Sequence, residues 1–365
     1  MSILLYIVLL LCCIILLFFI KTKILTTNKS TYTIQLDAGW FPKNYTPLTP
    51  TEYQRPGDQT FLTYPEWFLV FSPAEQADFL KTKTATTFPY EQHVEQFWDS
   101  YAALTKEIAP YFPYNKQYHT MINVIGYSTL IEYRGKLVYE NSIGRLTNLI
   151  PSKRTAEDQF YATFTQRYVD FIKKEPWYLY SFLKEFRLLW TKTTYLEWNW
   201  IRKIERRFFI SGELLFKAFY GFLLGLGTQS AYGVAAPVTA VVIDHLPETF
   251  HIDALEITLV EVLSPEATLI TLPRYAAFNP TLKLLIKAGV RIYEIAGNHS
   301  AILLTIVVPI NWETKFQFTK AIFKQTIATN KNLQRVALAV LVPNLSTVIL
   351  ALEQEKIEVE HIFDY

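Results

Sequence analysis

The chain begins with an unbroken apolar run from residue 3 to residue 20, in which 15 of the 18 residues are Leu, Ile, Val or Phe. A helix of this length extends about 27 Å, close to the roughly 30 Å hydrocarbon core of a bilayer. Lys21 and Lys23 follow the run directly, without the small-residue cleavage site that ends a signal peptide. We therefore predict that residues 1–25 are an uncleaved, single-pass membrane anchor.

The charges beside this run predict its orientation. Lys21, Lys23 and Lys29 follow the run, whereas only the α-amine precedes it. Lysine and arginine are enriched on the cytoplasmic side of membrane spans. We therefore expect the remainder of the chain, the body, to face the cytoplasm.

Composition limits the functions open to the body. Half of the residues are apolar and the net charge is only +2, so a large core can form, but the basic surface of a nucleic-acid-binding protein is not indicated. Both cysteines lie within the apolar run, which excludes disulfides and thiolate chemistry in the body. The sequence contains no P-loop, no G-x-G-x-x-G and no G-x-S-x-G. We predict neither a cofactor nor a metal.

Periodicity divides the body into three parts. Residues 26–60 are rich in proline and lack a period, so they are predicted to form a linker. Residues 61–245 are predicted to form an α-rich domain, and residues 246–365 an antiparallel ferredoxin-like α/β sandwich. The predicted fold class is therefore α+β behind an N-terminal transmembrane helix.

Helix signals are clearest in the α-rich part. Ser72-Pro73-Ala74-Glu75 is typical of a helix start. Further helices are predicted at 91–108, 155–174, 177–190 and 198–216. Residues 218–243 carry no charge. They are predicted to form a buried helix followed by a strand, with a second membrane span as the alternative.

The C-terminal part carries a weak internal repeat. Residues 281–297 and 347–364 both read as helix, turn and strand, with Glu294 and Glu360 in the two strands. The predicted element order is β-α-β-β followed by β-β-α-β. Two hairpins are predicted, one pairing 290–296 with 301–308 and one pairing 321–329 with 335–342.

Two resemblances to known families accompany these patterns. The stretches AGVRIYEIAG (288–297) and EKIEVEHIFDY (355–365) resemble the helix–strand unit of ACT-like and other ferredoxin-like regulatory domains. Leu345 and Ser346 stand where the ACT loop glycine is expected, so amino-acid binding is not carried over. The stretches LTYPEWFLVFSPAE (62–75) and YENSIGRLT (139–147) resemble an uncharacterised family of bacterial membrane-anchored proteins. That resemblance implies architecture and bacterial origin, but no activity.

One polar stretch combines groups that can perform acid–base chemistry. The candidates are His119, Glu132, Glu140 and Arg145. Their spacing matches no catalytic or metal-binding motif. A structural interpretation, in which the two glutamates pair with nearby basic residues, is therefore favoured over a catalytic site.

A second cluster mixes tryptophan with basic side chains. It comprises Trp198, Trp200, Arg202, Lys203, Arg206 and Arg207. Tryptophan prefers the bilayer interface, and basic side chains attract anionic headgroups. The alternative is an ordinary helix with its aromatic side chains in the core and its basic face in solvent.

These patterns support three functional hypotheses. The first is a membrane-anchored, non-enzymatic protein that binds a partner protein or a small ligand beside the bilayer. The second is a membrane-associated enzyme that uses His119, Glu132 and Glu140. The third is a two-span integral membrane component that uses residues 218–243 as its second span.

Overall fold

Within the residues that the structure describes, six long helices precede two β-sheets. The computed structural model describes residues 34–42, 44–148, 154–194, 197–231, 238–247, 255–313 and 316–363, with side chains of helix α6 up to residue 225. The predicted anchor at 1–25 lies outside the described residues. The helices are α1 (Gln59–Leu80), α2 (Tyr90–Ile108), α3 (Lys116–Tyr139), α4 (Ala156–Ile172), α5 (Phe182–Lys192) and α6 (Trp200–Ala231). A π-helical turn, Glu140–Gly144, and one further turn, Arg145–Thr147, extend α3.

Helix α1 continues through two internal prolines, Pro65 and Pro73. The predicted helix start at Ser72 is therefore wrong. Most side chains of α1 are buried, including Phe61 and Phe68. Burial of each such residue contributes roughly 2 kcal/mol, so packing offsets the roughly 3 kcal/mol that an internal proline costs. The Ser72 hydroxyl contacts His93 and Tyr133 instead of capping a helix.

The other helix predictions differ mainly in their ends. The predictions at 91–108 and 155–174 are confirmed by α2 and α4, and Thr155 caps α4 through reciprocal hydrogen bonds with Asp158. The prediction at 177–190 corresponds to a 3-10 turn at Trp177–Leu179 followed by α5. The helix predicted at 198–216 continues to Ala231 as α6.

Two four-stranded antiparallel sheets make up the C-terminal part, and each arises from a β-β-β-α-β segment. The first repeat consists of β1 (Val238–Ile243), β2 (Thr258–Ser264), β3 (Ala267–Pro273), α7 (Phe278–Lys287) and β4 (Ile292–Ile295). The second repeat consists of β5 (Ala301–Pro309), β6 (Thr319–Ile327), β7 (Asn330–Leu341), α8 (Leu345–Gln354) and β8 (Val359–Ile362). The strand orders are β2-β3-β1-β4 and β6-β7-β5-β8, so corresponding strands occupy corresponding places.

Strand register identifies which residues of the two repeats are equivalent. Glu294 on β4 lies opposite Val242, and His361 on β8 lies opposite Thr305, with an irregularity in register at the next residue in both sheets. Glu294 is therefore equivalent to His361. The internal repeat in the sequence predicts Glu360 as its equivalent instead, and the difference of one residue moves a side chain to the other face of the sheet.

Several predictions for the C-terminal part are wrong. The predicted order β-α-β-β omits β1 and β2, and each sheet carries one helix where a ferredoxin-like β-α-β-β-α-β unit has two. The predicted hairpin of 290–296 with 301–308 does not form, because β4 pairs with β1 whereas β5 pairs with β7 and β8. The hairpin of β6 with β7 is confirmed.

The charge-free segment 218–243 ends in the centre of the first sheet. Its helical portion is the end of α6, and residues 238–243 form β1, which pairs with β3 and β4. The predicted order of helix then strand is therefore confirmed, and a single membrane span over 218–243 is excluded. The prediction that this helix is buried is wrong, because Phe219 and Phe222 are 61% and 63% exposed. Strand β1 also lies inside the range predicted for the α-rich domain. One hydrophobic core cluster includes residues of both sheets and of α7 and α8.

The segment predicted to be a linker packs against the rest of the chain over residues 36–42 and 44–58, here called the arm. Leu36, Phe41 and Thr49 are buried, and the arm forms two 3-10 turns. The buried carboxylate of Glu294 accepts hydrogen bonds from the Leu48 and Thr49 amides, at 2.6 and 2.9 Å, and from the Thr49 and Tyr45 hydroxyls. One side chain of the first sheet thus fixes the arm.

Replacing Glu294 should loosen this attachment. In Glu294→Gln, an NH₂ group replaces one carboxylate oxygen and cannot accept the hydrogen bonds that this oxygen accepts from the arm. We therefore expect a loss of about 2 kcal/mol in the free energy of unfolding. Urea unfolding measures this change in the free energy of unfolding. The exposed Glu355→Gln serves as the matched control, and equal unfolding midpoints for the two variants would contradict the assigned role.

Candidate membrane interface

Helix α6 is amphipathic in the reverse of the usual sense, because its apolar side faces outward. Every exposed position from residue 201 to residue 223 is apolar or glycine. These positions are Ile201, Ile204, Phe208, Gly212, Leu215, Phe216, Phe219, Phe222 and Leu223. Phe208 is 78% exposed and Phe216 is 68% exposed. Their spacing of three and four residues places them along one side of the helix.

Helix α3 shows the same arrangement. Between residues 121 and 139 its exposed positions are Val124, Tyr127, Ile131, Gly135 and Val138. They again recur at intervals of three and four, so they form a second stripe without a charged residue. In contrast, exposed positions of α2 include Gln92, Glu95, Asp99 and Lys106, as expected for a helix in water.

The two stripes belong to neighbouring helices. Lys136 of α3 bonds Glu213 of α6 at 2.8 Å, and the Tyr139 ring stacks on Phe209 with centroids 4.0 Å apart. Pairs formed by later residues of α3 involve earlier residues of α6, so the helices run antiparallel. Their inner sides pack on the body, and both stripes therefore face away from it. We call the resulting surface the α3–α6 face.

The basic residues predicted for the membrane interface lie beneath this face. Arg202 and Arg206 are 0% and 1% exposed, and Lys203 is also buried. Each is paired with a buried carboxylate: Arg202 with Asp158 at 3.0 Å, Lys203 with Glu157 at 2.9 Å, Arg206 with Glu140 at 2.7 Å and Arg207 with Glu157 at 2.7 Å. These buried, paired positions do not fit the prediction that the basic side chains attract anionic headgroups. They do not fit the alternative of a basic helix face in solvent either.

The two tryptophans of the predicted cluster are exposed, unlike their basic neighbours. Trp198 is 94% exposed, just before α6, and Trp200 is the first residue of the helix and also exposed. An indole at the end of an apolar helix face is typical of the boundary between lipid and water.

Burial and pairing shift the ionisation of the α3 groups beneath the face. Burial raises the pKa of Glu140, although the guanidinium of Arg206 opposes it. Burial alone would lower the pKa of Lys136, but the carboxylates of Glu132 and Glu213 more than offset it and hold that pKa well above its usual value. Lys136 is therefore charged at neutral pH, and these two carboxylates stabilise its buried charge.

The candidates for acid–base chemistry are not brought together. His119 and Glu140 lie at opposite ends of α3, and 21 residues of helix separate them by about 32 Å. His119 bonds the Tyr101 hydroxyl at 2.7 Å and stacks on Tyr114, whereas Glu140 bonds Arg206. Glu132 pairs with Lys136 and Lys217, and Arg145 is exposed. The structural interpretation therefore holds for Glu132, which pairs with the nearby Lys136, but Glu140 pairs with the distant Arg206 instead of a nearby basic residue.

A different set of residues has the composition of a catalytic triad, and sequence analysis did not find it. The Ser72 hydroxyl lies 2.9 Å from His93 Nδ1, and His93 Nε2 lies 3.7 Å from Glu75 Oε2. Ser72 and His93 are buried within α1 and α2, and the hydroxyl also contacts Tyr133 at 2.7 Å. Glu75 pairs with Arg335. A substrate cannot reach this hydroxyl, so the cluster is a core polar network.

The described residues include one apolar helix of membrane-spanning length and no cluster of metal ligands. They contain no group of three or more His, Cys, Asp or Glu side chains arranged to hold a metal ion. Trp200–Gly225 is long and apolar enough to cross a membrane by length and composition. However, its inner side carries buried ion pairs to α3 and α4, so lipid can contact only its outer side.

No protein-family model, curated protein or solved structure matches this chain. The fold and the α3–α6 face define its class as an α+β protein with a helical surface whose exposed positions are uncharged. The resemblance to a bacterial membrane-anchored family stays a prediction.

Removing Arg206 should be far more disruptive than removing Arg145. Arg206→Met leaves Glu140 buried without its cation, and we expect a loss of about 3–5 kcal/mol in the free energy of unfolding. Arg145→Met is the matched control, because this nearby arginine is exposed, and its effect should stay within about 0.5 kcal/mol. Chemical denaturation measures both variants, and similar losses would refute the buried network.

The His93 network predicts acid sensitivity. Burial, followed by the nearby positive charge of Arg335, lowers the pKa of His93 from 6.5 to about 3. Below pH 6.5, His93 therefore binds a proton in the unfolded chain, whereas in the folded chain it stays neutral until the pH approaches 3. Stability present above pH 6.5 should fall by up to about 1.4 kcal/mol per pH unit as pH drops towards 3.

His93→Gln isolates this contribution, because other buried groups titrate in both proteins. The free energy of unfolding of wild type minus that of the variant should decrease steadily from pH 7 to about pH 5. A difference independent of pH would show that the pKa of His93 is the same in the folded and the unfolded chain, and would contradict its burial as a neutral ring.

Proposed function

We propose that this chain is a single-pass, non-enzymatic membrane protein whose body rests on the bilayer through the α3–α6 face and, held beside the membrane, binds a partner protein or a small ligand. The carrying observation is that all exposed positions of α6 from 201 to 223 are apolar or glycine. Monomeric soluble proteins rarely expose contiguous apolar patches beyond a few hundred Å². This one follows α6 for about 33 Å.

A bilayer is the occupant that the chain itself favours. The apolar run at 3–20 would anchor the chain, and residues 21–35 that follow it can extend at most about 50 Å. The body is then held within reach of the lipid surface. Exposed Trp198 and Trp200 fit the interfacial end of such a contact.

The contact is expected to be hydrophobic, with α6 lying in the plane of the interface. Such helices bury their apolar side by roughly 5–10 Å. The described exposed positions of the stripes carry no cation, and the basic residues below them are already paired. Binding should therefore depend little on anionic lipid or on salt. From the lysines after the run, we place the body on the cytoplasmic side.

Vesicle flotation tests this proposal. A chain lacking its first 25 residues should float with neutral phosphatidylcholine vesicles at low and high salt. Phe208→Glu combined with Phe219→Glu should abolish flotation, because two charges then enter the apolar stripe. Leu259→Glu with Val262→Glu is the matched control, since these exposed residues lie on β2, and it should float like the parent chain.

The alternative occupant is a second copy of the chain. If the shortened protein forms a dimer that the Phe208/Phe219 variant dissociates, and neither floats, the bilayer contact is refuted. Equal flotation of the face variant and the control would refute it as well.

A further inference from the structure

A cleft of about 930 Å³ opens between α1, α7, α8 and β8. Its volume is in the range of small-molecule sites. Apolar walls come from Trp67 and Phe71 of α1, Leu284 of α7 and Ile349 of α8. It is separate from the α3–α6 face, since none of its lining residues belongs to α3 or α6.

His361 lines this cleft and carries a hydrogen-bond donor without an acceptor. The Asn279 side-chain oxygen accepts from the Ile362 amide at 2.9 Å, which orients the Asn279 NH₂ towards His361 Nδ1 at 2.7 Å. Nδ1 is therefore the acceptor, and the neutral ring carries its proton on Nε2. Nε2 is buried and has no partner among the described residues. Burial, with nearby Lys283, lowers the pKa of His361 to about 3, so the ring stays neutral.

Lys283 provides a second donor close to His361. Its ammonium bonds the Val359 carbonyl at 2.9 Å, and Val359 and His361 are two residues apart on β8, or about 7 Å along the strand. Burial lowers the pKa of Lys283 more than the carboxylates of Glu358 and Glu353 raise it. An anion beside this ammonium would stabilise its charged form.

The charges of the cleft favour an anion. Lys287 pairs with Glu353 at 2.8 Å, and Glu360 pairs with Arg335 at 2.7 Å. Among the described residues, no ion-pair partner is found for the other lysines of the lining, Lys173, Lys283 and Lys356. Glu358 is the one carboxylate of the described lining outside these two ion pairs. The described lining contains no arginine, the usual bidentate partner of phosphate.

We propose that this cleft binds an organic monocarboxylate with a flat apolar body, whose carboxylate accepts from His361 Nε2–H and the Lys283 ammonium while its body packs on Trp67 and Phe71. The Trp67 ring already lies against His361, with centroids 3.6 Å apart, so the aromatic wall and the donor are contiguous. This inference deepens the proposed function, because it names the class of ligand that a membrane-held body would bind.

The test uses the full chain in lipid nanodiscs and two matched probes, 2-naphthoate and its neutral amide, 2-naphthamide. Isothermal titration should show saturable binding of the carboxylate, with the amide at least tenfold weaker. Lys283→Met should weaken the carboxylate about tenfold and leave the amide unchanged. Lys331→Met, an exposed lysine on β7, should change neither.

His361→Phe removes the second donor and should also weaken the carboxylate about tenfold. The His361→Phe variant leaves the Asn279 NH₂ without its acceptor, so its folding is checked first. If His361→Phe is unfolded, the affinity of Lys283→Met alone tests the proposal. Equal affinity for acid and amide, no saturable binding of the acid, or an unchanged Lys283→Met affinity would overturn the proposal. Vesicle flotation of Lys283→Met should match wild type, so failure of the ligand site is distinguishable from failure of the membrane contact.

Discussion

The buried ion pairs beneath α6 determine how the helical half is built. Arg202 and Lys203 each face a carboxylate of α4, and Arg206 faces Glu140 in the extension of α3. An unpaired charge at these depths would cost several kcal/mol, so α6 can pack in one rotation only. That rotation directs its charged side inward and leaves Phe208 and Phe219 outside. The apolar exterior is thus a consequence of the polar interior.

This inversion explains why sequence analysis identified the segment but misassigned its sides. Tryptophan beside arginine is typical of a lipid interface, and the cluster lies at one end of the α3–α6 face. Which side of the helix faces the body depends on carboxylates up to 66 residues away, such as Glu140 for Arg206. The sequence alone does reveal the apolar stripe, because Ile201, Ile204 and Phe208 recur with the helical period of 3.6. That period can be recognised without knowing the ion-pair partners of the basic residues.

The fold was predictable where the signal is local. The capping box of α4 and the helix-turn-strand of each repeat rest on neighbouring residues, and the structure has them there. Two kinds of feature were missed. Helix α1 crosses two prolines because burial outweighs their local cost, and the pairing of β4 with β1 joins strands about 50 residues apart. Pairing over such distances is set by the core, and a short turn after β4 resembles a hairpin whether or not one forms.

The two repeats show how one position can serve two purposes. Glu294 and His361 occupy equivalent places on the fourth strand of their sheets. In the first repeat, the arm covers Glu294 and supplies four donors to its carboxylate, so that position is closed. In the second repeat, Asn279 satisfies one nitrogen of His361, and α1 supplies an aromatic ring but no acceptor. A buried donor left this way is costly unless something accepts from it. The same sheet position therefore holds the arm in one repeat and faces an open cleft in the other.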